Sequence, residues 1–242
     1  MSLRAIPPLI GLTADPGLVS ASDLAHVASA MQTQVTHDFA PHWHVSATIT
    51  AFPNIVPDGY WPIIVKESLG EPGALGYHAD KHRQPIAYVE HTPDWPTTVS
   101  HELLEMLADP FGSRTVLTGD PRGSGPRAHV LIEVCDPCEA FTYDVLGVPV
   151  SDFVLPGYYG SKRLSGWADP GGSFLGKVHP LEVARGGYLS WRTATGEWWQ
   201  RTFFGSNPAD RSLGELAHFA EPGDSAREAV DRVMRTQLTA RI

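Results

Sequence analysis

The sequence predicts an α+β protein. Apolar residues recur at helical spacing in two segments before residue 110, and short runs of alternating apolar and polar residues lie between them. After residue 110, strand-like runs alternate with turns rich in Gly and Pro, and a last helical segment closes the chain. We therefore expect one compact domain with an upper lobe at 1–110 and a β-rich lower lobe with a C-terminal helix at 111–242.

The upper lobe is expected to begin with a helix over residues 20–39. Its apolar side chains share one face, and Ser20 or Ser22 can cap its start. Short strands are predicted next, over residues 44–52, 61–66, 74–78 and 85–90. A second helix follows at once, with Asp94 as cap, Pro96 in its first turn and Pro110 as its stop.

The lower lobe is expected to begin with a long loop at 111–127, because that segment is rich in Gly, Pro and Asp. The patterns then predict a strand at 129–135, a hairpin at 141–154, an irregular segment at 157–176, a hairpin formed by 187–192 and 197–204, and a final helix at 224–238. Gly147 is the expected turn of the first hairpin.

Composition excludes several classes of protein. The chain has 242 residues, of which 42% are hydrophobic, and this suffices for a buried core. A formal net charge of −9 argues against nucleic acid as a partner, and no apolar run reaches the length of a membrane span. The N-terminus lacks a signal-peptide pattern, so we expect a cytoplasmic protein, although a trimmed secreted form would look the same.

The second helix carries the most informative motif of the chain. His101 and Glu105 are four residues apart, so they project from one side of the helix, and Glu102 lies beside them. The apolar residues Val99 and Leu103 belong to the opposite stripe. This is the zinc-peptidase signature H-E-x-x-H with a glutamate in the fifth position.

That spacing predicts a metal site. In zinc peptidases the first and fifth positions bind the ion and the second is the general base, which assigns His101 and Glu105 as ligands and Glu102 as the catalytic base. Zinc accepts carboxylate oxygens, so Zn²⁺ is the expected cofactor, and a harder divalent ion is the alternative. The other interpretation is an amphipathic helix whose polar face happens to carry His and Glu.

A catalytic site of this kind needs a third protein ligand. Glu133 and Asp136 are the candidates, because both lie in a polar cluster downstream of the motif. Glu133 could instead pair with an arginine, and Asp136 could start a turn before its proline. Cys135 and Cys138 form a lone C-x-x-C, which is ambiguous between a redox pair, half a zinc site and two incidental thiols.

The sequence also resembles known families. Residues 100–105 (SHELLE), 109–110 (DP) and 133–138 (EVCDPC) are similar to a pattern in plant phosphate-induced, exordium-like proteins and related microbial proteins. A group of bacterial proteins without an established activity is closer still, since it shares 150–153 (VSDF) and 186–192 (GGYLSWR). The resemblance spans residues 70–200.

The resemblance implies a zincin-like fold, related to metallopeptidases of the HExxE type. Such a fold has a mixed, mostly antiparallel sheet, an N-terminal helix and the motif helix. It also places an edge strand beside the cleft, here 73–78 or 85–89, which would accept an extended peptide.

Other polar residues have weaker signals. His78, His82 and His91 are expected to be exposed or to cap local structure, with His78 and His82 as alternative cleft residues. Tyr158 follows a Pro-Gly turn and could line the cleft, as a downstream tyrosine does in several zincins.

Two functions stay open at this point. The first is a metal-dependent hydrolase, most simply a peptidase, acting on a peptide or small-molecule substrate. The second is a non-catalytic binding protein on a zincin scaffold, with a structural ion or none.

Overall fold

The computed structural model describes residues 7–70, 74–81, 83–123, 125–160, 171–221 and 223–239. The chain divides into two compact units: the first comprises Met1–Pro110 and Thr142–Ser151, and the second comprises Phe111–Phe141 and Asp152–Ile242. The sequence places the main division at the same residue, 110. The hairpin within 141–154 belongs to the first unit, however, and not to the C-terminal part.

A five-stranded sheet forms the centre of the first unit. Its strands are β1 Leu9–Ala14, β2 Thr48–Ala51, β3 Tyr60–Lys66, β4 Gly76–Lys81 and β5 Gln84–Glu90, in the order β2-β1-β3-β5-β4. Strands β2, β1, β3 and β5 run parallel, whereas β4 pairs antiparallel with β5 and lies at the edge. The sequence predicted either 73–78 or 85–89 as the edge strand, and the structure has the first of these, as β4, at the edge of the sheet.

The expectation of a mixed α+β protein with mostly antiparallel strands is confirmed for the described residues taken together, where six of nine strand pairings are antiparallel. In the first sheet alone, three of four pairings are parallel, which differs from the expectation. Two of these three parallel pairings involve β1, a strand that was not predicted, and the third joins β3 to β5. Strand β1 is buried over nearly its whole length and pairs in parallel with strands on both sides.

The N-terminal helix is longer than predicted. Helix α1, Ala21–Thr33, begins at Ser20, whose side chain accepts a hydrogen bond from the Asp23 amide, as expected of a cap. A π-helical segment, Gln34–Phe39, continues it into α2, Ala40–Trp43, so the strand predicted from residue 44 begins only at Thr48. The motif helix α3 is Trp95–Ala108. No helix within the described ranges is long and apolar enough to cross a membrane.

The hairpin of β8, Thr142–Val145, and β9, Val148–Ser151, packs on α3 in the first unit. A buried polar network fixes this packing. The Ser100 hydroxyl donates to Gln34 Oε1 at 2.7 Å and accepts from the Ser151 amide at 3.0 Å. The Gln34 amide in turn donates to the Ser151 carbonyl. Ser100, the residue directly before His101, is thus held by two other segments of the chain, at Gln34 and at Ser151.

The second unit has its own antiparallel sheet and core. The strands are β6 Thr115–Thr118, β7 Ala128–Leu131, β10 Tyr188–Arg192, β11 Trp198–Thr202 and β12 Ala209–Gly214, in the order β12-β11-β10-β7-β6. Helix α4, Ala226–Thr239, contributes Ala229, Val230 and Val233 to a buried cluster with Leu131 and Trp198.

Two predictions for this unit were wrong. The segment 111–127 is not only a loop, because it contains β6, which pairs with β7. Strand β12 was not predicted, because its sequence ADRSLG is polar and is held at the sheet edge by backbone pairing with β11. Of the predicted irregular segment 157–176, residues 161–170 lie outside the described part of the chain.

Candidate metal centre

Helix α3 places the motif residues inside the first unit. Val99 and Leu103 are fully buried, which confirms the apolar stripe. The opposite side is buried as well: Glu102 is 3% exposed and Glu105 is 0% exposed. Asp94 occupies the N-cap position and Pro96 lies in the first turn, as predicted, although the Asp94 side chain makes no capping hydrogen bond. The motif is therefore part of the core, and a solvated polar face is excluded for its two glutamates.

The structure brings the two predicted ligands of the helix together. His101 Nε2 lies 3.3 Å from Glu105 Oε1, across one turn of α3. The imidazole keeps 12% of its side chain exposed, while the carboxylate is fully buried. His101 is thus the member of the pair that faces solvent.

A second imidazole reaches the same carboxylates from the edge strand. His78, on β4, is 2% exposed, so the expectation that it is solvent-exposed was wrong. Its Nδ1 lies 3.4 Å from Glu102 Oε2 and 3.7 Å from Glu105 Oε2. The burial follows from packing of α3 on β4, which covers this face of the strand.

The four side chains form a continuous chain of contacts in the order Glu102, His78, Glu105, His101. One ligand atom from each of His78, Glu102 and Glu105 lies within 4.8 Å of the other two. Two buried carboxylates are costly unless positive charge or hydrogen-bond donors compensate them. Protons on the imidazoles or a divalent cation would supply that compensation, and imidazole nitrogens with carboxylate oxygens are a donor set that Zn²⁺ accepts. Of the proposed ligands, His101 and Glu105 offer this donor set in direct contact with each other, so their chemistry fits the expected metal.

Gly76 allows α3 to approach β4 this closely. A Cβ atom at this position would lie 2.7 Å from Thr98 Cγ2 and 2.8 Å from Glu102 Oε1. Gly76 and His78 are two residues apart on one strand, so both face the helix. The alternation in this strand is the sequence signal that could have identified His78 as a residue of the site.

We expect Gly76→Ala to destabilise the protein by about 1–3 kcal/mol, because the added methyl group overpacks the contact between β4 and α3. Thermal unfolding followed by circular dichroism measures the change. Gly119→Ala is the matched control, since a Cβ there meets no described atom within 4 Å. Equal melting temperatures for the two variants would contradict the close approach.

Both third-ligand candidates belong to the second unit. The Glu133 carboxylate accepts a hydrogen bond from Arg227 Nη1, and both side chains are buried. This is the arginine pairing that the sequence left open for Glu133. Asp136 is buried on a short 3-10 helix, Asp136–Cys138. Their role as ligands stays a prediction.

Three further residues were named from the sequence as possible parts of a site: Tyr158, His82 and His91. Tyr158 is fully buried, and its hydroxyl donates to the Glu182 carbonyl at 2.5 Å, so it does not line an open cleft. Burial raises the pKa of this phenol well above its usual value. Burial likewise raises the pKa of Asp152, whose carboxylate accepts hydrogen bonds from backbone amides. His91 is exposed, and His82 lies outside the described residues.

The two cysteines are buried at the ends of the short helix Asp136–Cys138, with Cys138 as its last residue and Cys135 directly before it. Cys135 and Cys138 are both 0% exposed, and neither is in a disulfide. The Cys138 amide donates to the Cys135 carbonyl at 3.0 Å, which closes a local turn.

Comparisons with protein-family models, with curated proteins and with solved structures found no match to this chain. The family resemblance and the zincin-like assignment therefore stay predictions, and the argument for function depends on the geometry of the site.

Proposed function

We propose that this protein is a metal-dependent hydrolase of the zinc-peptidase type, with an HExxE motif. The observation that carries the proposal is the buried cluster centred on Glu105, whose two oxygens each face an imidazole. His101 and Glu105 are the proposed ligands from the helix, and Zn²⁺ is the proposed ion. Such a site needs a third ligand, for which Glu133 and Asp136 stay the candidates of the sequence analysis.

Glu102 is the proposed general base. A divalent ion, when bound, supplies Lewis-acid chemistry by polarising a carbonyl oxygen and making a water molecule more acidic. Glu102 follows His101 in the chain, and its carboxylate belongs to the same buried cluster through its contact with His78, so it is the group that would accept a proton from a water molecule in this reaction.

The proposed substrate is a peptide or a small molecule with a hydrolysable carbonyl group. Strand β4 is the edge of the first sheet and carries His78 of the cluster. An open strand edge presents backbone donors and acceptors that an extended peptide can pair with, which favours a peptide over other substrates.

The test is metal analysis of protein purified without chelators. We expect about one zinc ion per chain, strong loss of zinc in His101→Ala and Glu105→Gln, and retention in His91→Ala, an exposed histidine. Hydrolysis of labelled casein and of a peptide mixture is then measured with and without 1,10-phenanthroline. A chain that neither retains nor rebinds zinc, or whose hydrolysis ignores the chelator, would overturn the proposal.

One observation favours a second function, that of a non-catalytic binding protein. The contacts of His78 and His101 with the two glutamates can satisfy the buried carboxylates without any metal. In that case the purified protein would hold no ion, and added zinc would leave its melting temperature unchanged.

A further inference from the structure

We propose that His78 is a positioning residue that compensates for the glutamate in the fifth position of the motif. It would hold the carboxylates of Glu102 and Glu105 in a fixed position relative to each other. This inference rests on the proposed function for its catalytic meaning, although the contact itself is a property of the metal-free chain.

Two acidic side chains share this buried position. With a glutamate at 105, two carboxylates lie three residues apart on one helix, at 3% and 0% exposure. Like charges at this spacing repel, and burial strengthens the repulsion because water no longer screens it. A histidine at 105 would remove the conflict, so the substitution that distinguishes this motif also creates the need for a partner.

His78 is placed to be that partner. Its Nδ1 lies 3.4 Å from Glu102 and 3.7 Å from Glu105, and in each case the facing atom is Oε2. One ring nitrogen thus stands between the two carboxylates. Nδ1 is within hydrogen-bond distance of Glu102 Oε2 and can donate to it in the tautomer that carries hydrogen on Nδ1, while Glu105 Oε2 lies slightly farther away.

A second residue of β4, Gly76, also contributes to the contact with Glu102. Gly76 leaves room for the Glu102 side chain, since a Cβ there would approach Glu102 Oε1 to 2.8 Å. The space at 76 and the imidazole at 78 come from the same face of β4 and meet the same carboxylate. Strand β4 therefore orients Glu102 through two residues: Gly76 leaves space for its side chain, and His78 contacts its carboxylate.

If His78 positions the two carboxylates, substitutions should have two effects that would not be seen if His78 only filled space. First, a side chain with a donor near the Nδ1 position should replace His78, whereas an apolar side chain of similar volume should not. Second, the need for His78 should depend on the charge at 105, because the two residues act as a coupled pair.

The first experiment compares His78→Asn, which keeps a donor near Nδ1, with His78→Leu, which does not. Cobalt(II) is the probe ion, and its affinity and visible absorption spectrum are measured by titration. We expect His78→Leu to weaken cobalt binding by about 10–100-fold and to change the spectrum, because the ligand Glu105 loses its orienting partner. His78→Asn should stay within about threefold of the unchanged protein. Equal behaviour of the two variants would overturn the positioning role.

The second experiment is a double-mutant cycle on metal-free protein, with melting temperature as the readout. His78→Asn and His78→Leu are each combined with Glu105→Gln, which removes the charge and keeps the shape. In the unchanged background we expect His78→Leu to lower the melting temperature by about 5–10 °C, and in the Glu105→Gln background by less than half of that. Additive effects of His78→Leu and Glu105→Gln would overturn the coupling. If His78→Leu does not fold, the smaller apolar variant His78→Val takes its place in the cycle, because His78→Asn keeps the donor and serves only as the control.

The two experiments separate this inference from the proposed function. If the unchanged protein binds neither zinc nor cobalt, the proposed function fails, while the metal-free cycle still tests whether His78 and Glu105 are coupled. If the protein binds metal but the cycle is additive and Asn does not rescue, the proposed function stands and the role of His78 is overturned.

Discussion

Glu102→Gln is expected to lower hydrolysis by about two to four orders of magnitude while the protein keeps its metal. Glutamine has nearly the same shape as glutamate, so the packing against β4 is retained, but its amide cannot accept the proton of an attacking water. His101 and Glu105 are unchanged in this variant, and they are the residues proposed to hold the ion.

The measurement combines metal content with initial rates on the best peptide of the casein and peptide screen. Glu67→Gln is the matched control, because Glu67 is exposed in the same unit. We expect that control to retain full activity. Undiminished hydrolysis by Glu102→Gln would assign the base to another group, whereas loss of metal together with activity would make Glu102 a ligand.

The motif helix was predictable because its signals are local. Apolar residues at helical spacing and Pro110 after the helix define α3, and the convergence of His101 with Glu105 follows from helix geometry alone. The burial of Glu102 and Glu105 was not predictable in this way. Strand β4 packs against the helix at this point, with His78 beside both glutamates and Gly76 beside Glu102, and the pattern of the helix does not show which strand covers it.

The missed features share one physical cause, namely pairing between distant segments. Strand β1 is a short apolar run after two prolines, and only its two parallel neighbours make it the middle of a sheet. His78 is a similar case, because a histidine in a short strand is buried or exposed according to which element covers that face. The polar strand β12 is held by its neighbour and not by its own pattern.

Arg227→Met is expected to give the largest loss of stability, about 3–5 kcal/mol, because it leaves the Glu133 carboxylate buried without its arginine. For a chain of this size that corresponds to a fall in melting temperature of roughly 10 °C. Arg232→Met on the same helix is the control. Its ion pairs with Glu221 and Asp224 are more exposed, so its loss should stay at or below about 1 kcal/mol.

The double variant Arg227→Met with Glu133→Gln distinguishes two roles of Glu133, that of ion-pair partner of Arg227 and that of metal ligand. If the carboxylate serves only as the partner of Arg227, neutralising it should restore much of the stability that Arg227→Met removes, since no uncompensated charge is left. Zinc content should then be the same with and without Glu133→Gln. If Glu133 is instead a metal ligand, Glu133→Gln alone should lower zinc affinity by a large factor while Arg227 is intact, and Asp136 would no longer be needed as the third ligand. The same pair of measurements therefore assigns Glu133 either to the core of the second unit or to the site.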